Sequence, residues 1–425
     1  MTNELIAVAN GQEMGLVRRS QKGRLSFAYS EKWAASEDSY PLSLSMPLGL
    51  AEHGHGKIEP FVWGLLPDNE KVLARWGREF HVSARSAFGL ISNVGEDCAG
   101  AVQFVRPERL EAVRKGSRGE VRWLSESEIA ERLRVLRQDH AAWRRPSDTG
   151  QFSLAGAQPK TALLFENGRW GIPSGRTPTT HIFKPPTGEH EGHPENEHFC
   201  LELARAFGLP AANSRVMHFE EEIAIVAERY DRARVGGRWT RVHQEDLCQV
   251  LGLPPTLKYE SDGGPGIRTI VQLLNENSTA AGEDVTTFLD AIIFHWLTAG
   301  TDAHAKNYSL LIGSAGTARL APLYDLASAL PYRGAHPLRL KLAMKIGGEY
   351  GLRTIARRHW ERLAAGLGRD AAEFLERVRV AVRSFPDLVA ETRRRVHAEG
   401  IRHPILERLS ETLTAWTAKC RTALR

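Results

Sequence analysis

Residues 288–325 have the sequence FLDAIIFHWLTAGTDAHAKNYSLLIGSAGTARLAPLYD. The first part is an apolar run with helical spacing, which is expected to end at Gly300. Two short apolar runs, 308–312 and 319–323, then predict strands. The six residues between these runs, GSAGTA, are typical of a turn. The stretch therefore predicts a helix, a polar loop and an antiparallel hairpin, in that order.

The predicted hairpin gathers polar groups at its open end. Antiparallel pairing counted outward from the turn places Asn307 opposite Tyr324 and beside Asp325. Asp302 lies five residues before Asn307, so a tight loop can bring its carboxylate to the same point. Two carboxylates and an amide oxygen suit a hard cation such as Mg²⁺, with one carboxylate left to act as a base. The alternative is ordinary turn chemistry, because Asp and Asn are common in turns.

The composition limits the class of protein. With 425 residues, 42% of them apolar, the chain is long enough for two or more domains with sizeable cores. A formal net charge of +5 permits contact with nucleic acid without requiring it. The four cysteines form no CxxC pair, which argues against a zinc ribbon or a disulfide framework. No secretory leader and no membrane-spanning run is visible, so we expect a cytoplasmic protein.

Composition and periodicity predict an α+β fold in which a small β-rich lobe is followed by a large helical lobe. The four predicted parts are an N-terminal α+β subdomain (1–107), a connector with a helix (108–150), the β-rich lobe (151–230) and the helical lobe with the hairpin (231–425). Within the last part, two separate helices are predicted at 369–384 and 386–399, because Pro386 lacks the N–H that continues a helix.

Two upstream segments carry residues suited to phosphate binding. The loop SLAGAQPK, residues 153–160, has small side chains that let backbone N–H groups approach phosphate oxygens, and it ends in a lysine. It lacks the usual nucleotide-loop glycine pattern, so an ordinary tight loop is the alternative. Lys184 lies on an apolar strand and either points to solvent from a sheet edge or reaches phosphates from a cleft. An acidic partner on the next helix would be Glu195, Glu197 or Glu202, and helical spacing leaves that choice open.

His304 and two arginine clusters admit more than one interpretation. His304 follows Asp302 by two residues, a spacing that can bind zinc or iron, but no further His or Cys stands at ligand spacing. A solvated or hydrogen-bonding histidine is the alternative. The clusters at 357–358 and 393–395 fit either solvated helix faces or phosphate-binding surfaces.

The order of these elements favours one chemistry. A small-residue loop, a strand lysine, a helix with glutamates, a lobe crossing, Asp-x-x-x-x-Asn and a later Asp follow one another as in protein kinases. Phosphoryl transfer needs each of them, because the phosphates must be positioned, their charge neutralised and a carboxylate placed near the incoming hydroxyl. The sequence therefore predicts a two-lobed, protein-kinase-like fold.

Longer stretches support a specific resemblance. They are GLLPDNEKVLARW (64–76), GEDCAGAVQF (95–104), SLAGAQPKTALL (153–164), TPTTHIFKPP (177–186), NEHFCLELA (196–204), AERYDR (227–232), HQEDLCQVLGLPPTLKYESDGGPGI (243–267), FHWLTAGTDAHAKNYSLLI (294–312), PLYDLASALPY (322–332) and LKLAMKIGG (340–348). In content and order they resemble the HipA serine/threonine kinase toxins of bacterial toxin–antitoxin modules. The N-terminal stretches resemble that family's own first domain, so we expect a full-length member.

The resemblance implies roles for individual residues. Asp302 is similar to the catalytic aspartate, and Asn307 and Asp325 are similar to the Mg²⁺ ligands. Ser153 is similar to the serine whose autophosphorylation expels the ATP loop and inactivates these kinases. The residues implied to contact ATP are Ala155, Gly156, Ala157, Gln158, Pro159, Lys160, Lys184, Glu228, Arg229, Tyr230, His304, Lys306, Asn307, Tyr324 and Asp325. His304 thereby falls in a nucleotide-contacting loop, which argues against a metal-ligand role.

The resemblance also implies cofactors and partners. These are ATP and Mg²⁺, a HipB-like helix-turn-helix antitoxin, operator DNA bound by the toxin–antitoxin complex, and a translation-related protein substrate, typically an aminoacyl-tRNA synthetase. Pro159 departs from the family, which often has an acidic residue there, and its missing N–H is expected to change a phosphate contact or the loop's motion. The rival functions are a small-molecule kinase, which the 243–267 stretch disfavours, and a DNA-binding co-repressor with an inactive kinase site.

Overall fold

The structure is a computed structural model that describes residues 3–114, 121–145, 148, 152–188, 190–332 and 339–425. The predicted connector at 108–150 falls partly outside these residues. Its helix, Glu126–Gln138, is described, and Ser125 caps it by accepting the N–H of Glu128.

The described elements alternate between sheets and helices in the first half of the chain and are mainly helical in the second. The strands are β1 (Glu4–Ala9), β2 (Gln12–Arg19), β3 (Leu25–Tyr29), β4 (Glu52–His53), β5 (Val102–Val105), β6 (Arg122–Trp123), β7 (Thr161–Glu166), β8 (Arg169–Ile172), β9 (His181–Lys184), β10 (Ser214–Phe219), β11 (Glu222–Glu228), β12 (Arg232–Val235), β13 (Arg238–Arg241), β14 (His243–Asp246), β15 (Ser309–Ile312), β16 (Ala318–Leu320), β17 (Lys341–Ile346) and β18 (Glu349–Gly351). The helices are α1 (Glu31–Ala34), α2 (His55–Gly64), α3 (Glu70–Glu79), α4 (Ala87–Val94), α5 (Leu110–Arg114), α6 (Glu126–Gln138), α7 (His193–Ala206), α8 (Leu247–Leu251), α9 (Ile267–Asn277), α10 (Ala281–Thr298), α11 (Arg357–Gly366), α12 (Ala371–Ala398) and α13 (Ile405–Ala423). This mixture confirms the predicted α+β class.

The chain folds into two units, and each unit is assembled from separated segments. The first unit comprises Met1–Thr187, Met217–Pro255 and Ser309–Ala318, and the second comprises Gly188–Val216, Thr256–Tyr308 and Arg319–Arg425. The stretch at 288–325 is therefore shared, since its helix and polar loop belong to the second unit and β15 belongs to the first. No helix in the described part of the chain is long and apolar enough to cross a membrane.

The N-terminal part of the first unit is built on one antiparallel sheet. Its strand order is β4-β3-β2-β1-β5, and β1 pairs with both β2 and β5. Inward-facing side chains of these strands pack with those of α2, α3 and α4 in a single core, which includes Phe27, Phe61, Trp76 and Phe104. This sheet and its helices form the scaffold for segments 65–69 and 95–98, which bear on the site described below.

A second sheet in the first unit carries the predicted phosphate-binding segments. Its strand order is β10-β11-β9-β7-β8-β6, so β9 is an interior strand. Asn167 and Gly168, with φ of 53° and 75°, form the turn between β7 and β8, as this dipeptide favours. α6 packs on the sheet through Ile129 and Leu133. β14 pairs with β15 in a further small sheet.

Helices dominate the second unit. α10 buries its apolar face, with Phe294 packing against Phe385 of α12 and Trp296 against Trp360 of α11. The predicted helix before Gly300 is thus confirmed. The Trp416 indole N–H donates to the Trp296 carbonyl (2.9 Å) and ties α13 to the end of α10.

The predicted break at Pro386 is wrong. α12 continues through this proline from Ala371 to Ala398. A proline inside a helix costs about 3 kcal/mol. Val382, Phe385 and Val389 are all buried on the same helix face on either side of it, and burying each such side chain contributes about 1.5–3 kcal/mol. Packing of that face outweighs the lost hydrogen bond.

Candidate functional site

The polar loop 301–307 follows α10 in the second unit. Ala299 adopts a left-handed conformation, with φ of 51°, and turns the chain out of the helix. Within the loop, the N–H of His304 donates to the carbonyl of Asp302 (2.8 Å), and the N–H of Asn307 donates to the carbonyl of His304 (2.9 Å). These two backbone hydrogen bonds make the loop tight. The predicted convergence of its polar groups requires a tight loop.

Asp302 presents its carboxylate to solvent. The side chain is 67% exposed. Its Oδ1 accepts a hydrogen bond from the Tyr259 hydroxyl (2.5 Å), and the Tyr259 ring packs edge-on against His304 with centroids 4.9 Å apart. A carboxylate that is oriented by a neighbour yet open to solvent is suited to accept a proton from an incoming hydroxyl.

Asn307 is the last residue of this loop, and Asp325 lies close enough to the loop for its charge to act on His304. The Asn307 amide nitrogen donates to the Asp302 carbonyl (2.7 Å), which leaves the amide oxygen as the atom of that side chain that a cation can use. The Tyr324 hydroxyl donates to the Lys306 carbonyl (2.7 Å) and holds the segment containing Asp325 against the loop. The second unit therefore brings together the residues that the hairpin argument grouped, although β15 and β16 are shorter than the predicted strands.

His304 is a buried side chain of this loop, with 4% of its surface exposed. Burial lowers the pKa of His304, and the carboxylates of Asp302 and Asp325 oppose that shift without cancelling it. The imidazole is therefore neutral at pH 7. It packs under Tyr259 and supports the loop from inside.

A possible metal-ligand group occurs elsewhere in the second unit. Over the described ranges, His198, Glu202 and Glu399 form the group of three whose ligand atoms lie within 4.8 Å of one another. Arg205 and Arg395 both form ion pairs with Glu202, and His198 pairs with Glu399. The two arginines already compensate Glu202, while burial lowers the pKa of His198, so its contact with Glu399 is a hydrogen bond (2.9 Å). We therefore interpret the group as a cluster of ion pairs and a hydrogen bond between α7 and the end of α12.

The loop after residue 152 lies in the first unit and is closed by a lysine. The Lys160 ammonium donates to the Ala155 carbonyl (2.7 Å) and lies 5.5 Å from the Trp143 ring centroid. Gly156 has a φ of +97°, and a Cβ at this position would stand 2.7 Å from the Lys160 nitrogen. The positive φ favours glycine here, whereas the Lys160 ammonium is the end of a flexible side chain that can shift aside.

Ser153 is fully buried in the same loop. Its hydroxyl donates to the Leu65 carbonyl (2.7 Å), and its N–H donates to the Asp97 carbonyl (3.0 Å). A phosphate on this oxygen has no room while the loop holds this position, because the phosphate adds three oxygens and up to two negative charges.

Lys184 is buried at 6% exposure on interior strand β9, opposite Ile225 of β11. The alternative of a solvent-facing edge lysine is therefore wrong. Glu202 is engaged with two arginines, which disfavours it as an acidic partner of Lys184. Glu195 and Glu197 are both buried on α7, and the choice between them stays a prediction.

The segment 228–230, predicted to contact adenine through its backbone, is partly engaged in the fold. The N–H of Arg229 donates to the Thr180 carbonyl (2.9 Å). Its guanidinium is buried and bonds to Asp231 (2.9 Å). Arg229 thus has a structural role, while the backbone of Glu228 and Tyr230 stays the predicted adenine contact.

A buried charge cluster surrounds Asp97, and sequence reasoning missed it. This buried carboxylate accepts hydrogen bonds from Arg232 (2.9 Å) and Arg241 (3.1 Å), and Asp231 pairs with Arg229 and Arg232. Burial by itself raises the pKa of Asp97, but the three arginines outweigh it and hold that pKa well below its usual range. The partners lie 135 and 144 residues apart in the chain, so no local pattern could have predicted the cluster.

Comparisons with known proteins bear on this arrangement. A model described as the HipA N-terminal domain matches residues 5–105, and one described as the HipA-like C-terminal domain matches residues 152–389. The second match alone covers more than half of the chain. The chain belongs to the HipA family.

Individual HipA relatives extend over most of the chain. The protein Y4mE of Sinorhizobium fredii is 36% identical over 91% of this chain and 90% of its own length. The serine/threonine-protein kinase toxin HipA of Shewanella oneidensis is 30% identical over 85% of this chain and 83% of its own. These matches confirm the predicted family and the prediction of a kinase.

A solved structure from Shewanella oneidensis, of toxin HipA with HipB and operator DNA, contains a chain of similar fold. The match has a TM-score of 0.81 and 25% identity, and it covers 98% of this chain and 99% of that one. It confirms the predicted kinase-like fold of the HipA family. The roles of individual site residues stay predictions.

Proposed function

We propose that this HipA-family chain is an ATP- and Mg²⁺-dependent serine/threonine protein kinase that acts as a growth-arresting toxin. The observation that carries the proposal is the Asp302 carboxylate, exposed to solvent and oriented by Tyr259, with the Asn307 amide bonded to the same loop. The proposed base and one proposed metal ligand therefore belong to one short segment.

The proposed reaction transfers the γ-phosphoryl group to a serine or threonine hydroxyl. The hydroxyl oxygen forms a bond to the γ-phosphorus, the bond from that phosphorus to the bridging oxygen breaks, and ADP leaves with the electron pair. The hydroxyl proton passes to Asp302. Tyr259 keeps the carboxylate aimed, so its role is positioning.

The donor set of Asn307 and Asp325 fits a Mg²⁺ ion, since amide and carboxylate oxygens are the ligands that this hard cation takes. When bound, Mg²⁺ would neutralise developing charge on the phosphates. In the first unit, Lys160 and the buried Lys184 are proposed to supply positive charge to phosphate oxygens of ATP. The backbone of 155–160 is proposed to position them, with Pro159 contributing no N–H.

Regulation and partners are proposed from the family. Ser153 is the proposed autophosphorylation site, and its buried hydroxyl implies that the loop must leave its position before this reaction. The related complex with HipB and operator DNA supports an antitoxin partner and a role in operator binding for this chain as well. The proposed substrate is a translation-related protein such as an aminoacyl-tRNA synthetase. Phosphoproteomics after expression in cells without antitoxin would identify it.

Asp302→Asn tests the proposed function. The amide cannot take the hydroxyl proton, so we expect phosphate transfer to fall by a factor of about 10²–10⁴ in a radiolabel assay, and the Ser153 phosphopeptide to disappear with it. Asp387→Asn, a change of the same chemistry at an exposed position of α12, is the control and should leave transfer unchanged. Transfer by Asp302→Asn at the rate of the control would refute the assignment.

A further inference from the structure

The segment Leu65–Asn69, between α2 and α3 of the first unit, holds the loop 152–157 along its length. The Leu65 carbonyl accepts a hydrogen bond from the Ser153 hydroxyl (2.7 Å). Pro67 forms a parallel bridge with Gly156, and the N–H of the next residue, Asp68, donates to the Gly156 carbonyl (3.0 Å). The Asn69 amide donates to the Ala157 carbonyl (3.2 Å). We call Leu65–Asn69 the clamp segment.

The other side of the loop is also held by the N-terminal subdomain. Phe152 forms a parallel bridge with Asp97, and the N–H of Ser153 donates to the Asp97 carbonyl. Both flanking segments sit on the N-terminal scaffold, which supplies none of the proposed catalytic groups. The loop position therefore depends on a part of the chain outside the proposed kinase lobes.

Asn69 is the side chain of the clamp segment that links the loop to the scaffold. Its Oδ1 caps α3 by accepting the N–H of Lys71 (3.0 Å) and of Val72 (3.3 Å), while its Nδ2 donates to Ala157. The cap fixes the side chain in the direction that the loop contact needs. A single amide thus couples the start of a helix to the loop.

We propose that the clamp segment positions the loop 152–157 for nucleotide binding, with Asn69 as the positioning residue. Loosening the contact between clamp segment and loop then weakens nucleotide binding and exposes Ser153. The inference rests on the proposed function for its effect on ATP. The contact between clamp segment and loop involves only groups of the chain itself, so it can be tested separately from nucleotide binding.

Asn69→Asp separates the loop contact from the cap. Aspartate caps a helix as well as asparagine does, so α3 should be kept. It has no Nδ2 donor, and it brings a carboxylate oxygen against the Ala157 carbonyl. Asn275→Asp, at an exposed position of α9, adds the same charge away from the loop and is the control. Asn69→Ala loses both the cap and the contact and gives the effect of the combined loss.

Hydrogen exchange of the nucleotide-free protein measures the clamp directly. The Asp68 amide donates across this contact to Gly156, and the Ser153 amide donates from the loop to Asp97 on its other side, so peptides that contain these two amides report on how firmly the loop is held. In Asn69→Asp we expect both to exchange about fivefold faster, which corresponds to about 1 kcal/mol for one hydrogen bond, with an unchanged melting temperature. If these peptides exchanged at the same rate in Asn69→Asp as in Asn275→Asp, the proposed clamp would be overturned.

Nucleotide titration then measures the positioning role. We expect the KM for ATP to rise about fivefold in Asn69→Asp with kcat unchanged, and the initial rate of Ser153 phosphorylation at saturating ATP to rise. Faster exchange with an unchanged KM would overturn the positioning role. A wild-type chain that binds no nucleotide would refute the proposed function instead, and the exchange comparison would still decide whether the clamp holds the loop.

Discussion

Replacing Asp97 by alanine is expected to lower the free energy of unfolding by about 3–5 kcal/mol. Its Oδ1 accepts hydrogen bonds from Arg232 and Arg241, and its Oδ2 accepts the N–H (3.0 Å) and the hydroxyl (2.6 Å) of Thr179. Asp97→Ala removes all of these acceptors at once. Alanine offers no replacement for any of them.

The magnitude follows from the charges that stay buried. Three guanidinium groups and two carboxylates give this cluster a formal charge of +1, and loss of Asp97 raises it to +2. The side chains of Arg232 and Arg241 are 0% and 3% exposed, so water cannot compensate them without local unfolding. Removing one partner of a buried ion pair costs about 3–5 kcal/mol for this reason, whereas an exposed pair is worth at most about 1 kcal/mol.

Urea denaturation provides the measurement, with Glu4→Ala as the control. Glu4 pairs with Arg18 in the same unit, but both side chains are about half exposed. Tryptophan fluorescence and hydrogen exchange of first-unit peptides should be followed together, because two units can unfold in separate steps. A first-unit transition for Asp97→Ala that coincides with that of Glu4→Ala would refute the reasoning.

The Asp97 interaction also predicts an acid dependence with a defined sign. The pKa of Asp97 is lower in the folded chain than in the unfolded chain. Its stabilisation is therefore fully present above the ordinary carboxyl pKa, near 3.9, and is lost as the pH falls towards the folded-state value. The stability difference between wild type and Asp97→Ala should accordingly shrink in acid.

Two other substitutions have equally definite outcomes. Burial raises the pKa of Glu245 to about 8. The folded chain therefore retains a proton on this carboxyl group that the unfolded chain loses near the ordinary carboxyl pKa. The free energy of unfolding of the wild type should accordingly fall as the pH rises between these two values. Glu245→Gln should flatten this decline in melting temperature between pH 5 and pH 8, and an undiminished decline would contradict the assignment. Tyr259→Phe removes the donor to Asp302 and is expected to reduce kcat about tenfold without changing the KM for ATP, as measured by initial rates. A rise in KM with kcat intact would argue against a positioning role.

The parts of the site that the sequence predicted depend on short-range geometry. Asp302 and Asn307 are five residues apart, and an apolar helix followed by a polar loop leaves few ways to arrange them. The environment of Lys184 was ambiguous, because the sequence of one strand does not show which strands flank it in the sheet. The sheet order places β9 between β11 and β7, and the side chain of this lysine is buried.

What the sequence could not predict depends on contacts between distant segments. Tyr259 lies 43 residues before Asp302, and Asn69 lies 88 residues before Ala157. Neither spacing belongs to a helix or strand period, so neither pair leaves a periodic signal. The failure at Pro386 has the same origin, since a local rule predicted a break and the tertiary packing of α12 overrode it.

The discontinuous first unit has a consequence for how the chain is made. Strand β14 ends at Asp246, and its partner β15 begins at Ser309. At roughly 5–20 residues per second, a ribosome needs about 3–13 s to deliver the second strand after the first. Throughout that interval, the edge of β14 that later pairs with β15 exposes unpaired backbone N–H and C=O groups. Strands of other chains can form hydrogen bonds with such an edge. A fragment that stops before residue 309 keeps this edge permanently, so shortened versions of the first unit should aggregate more readily than the full chain.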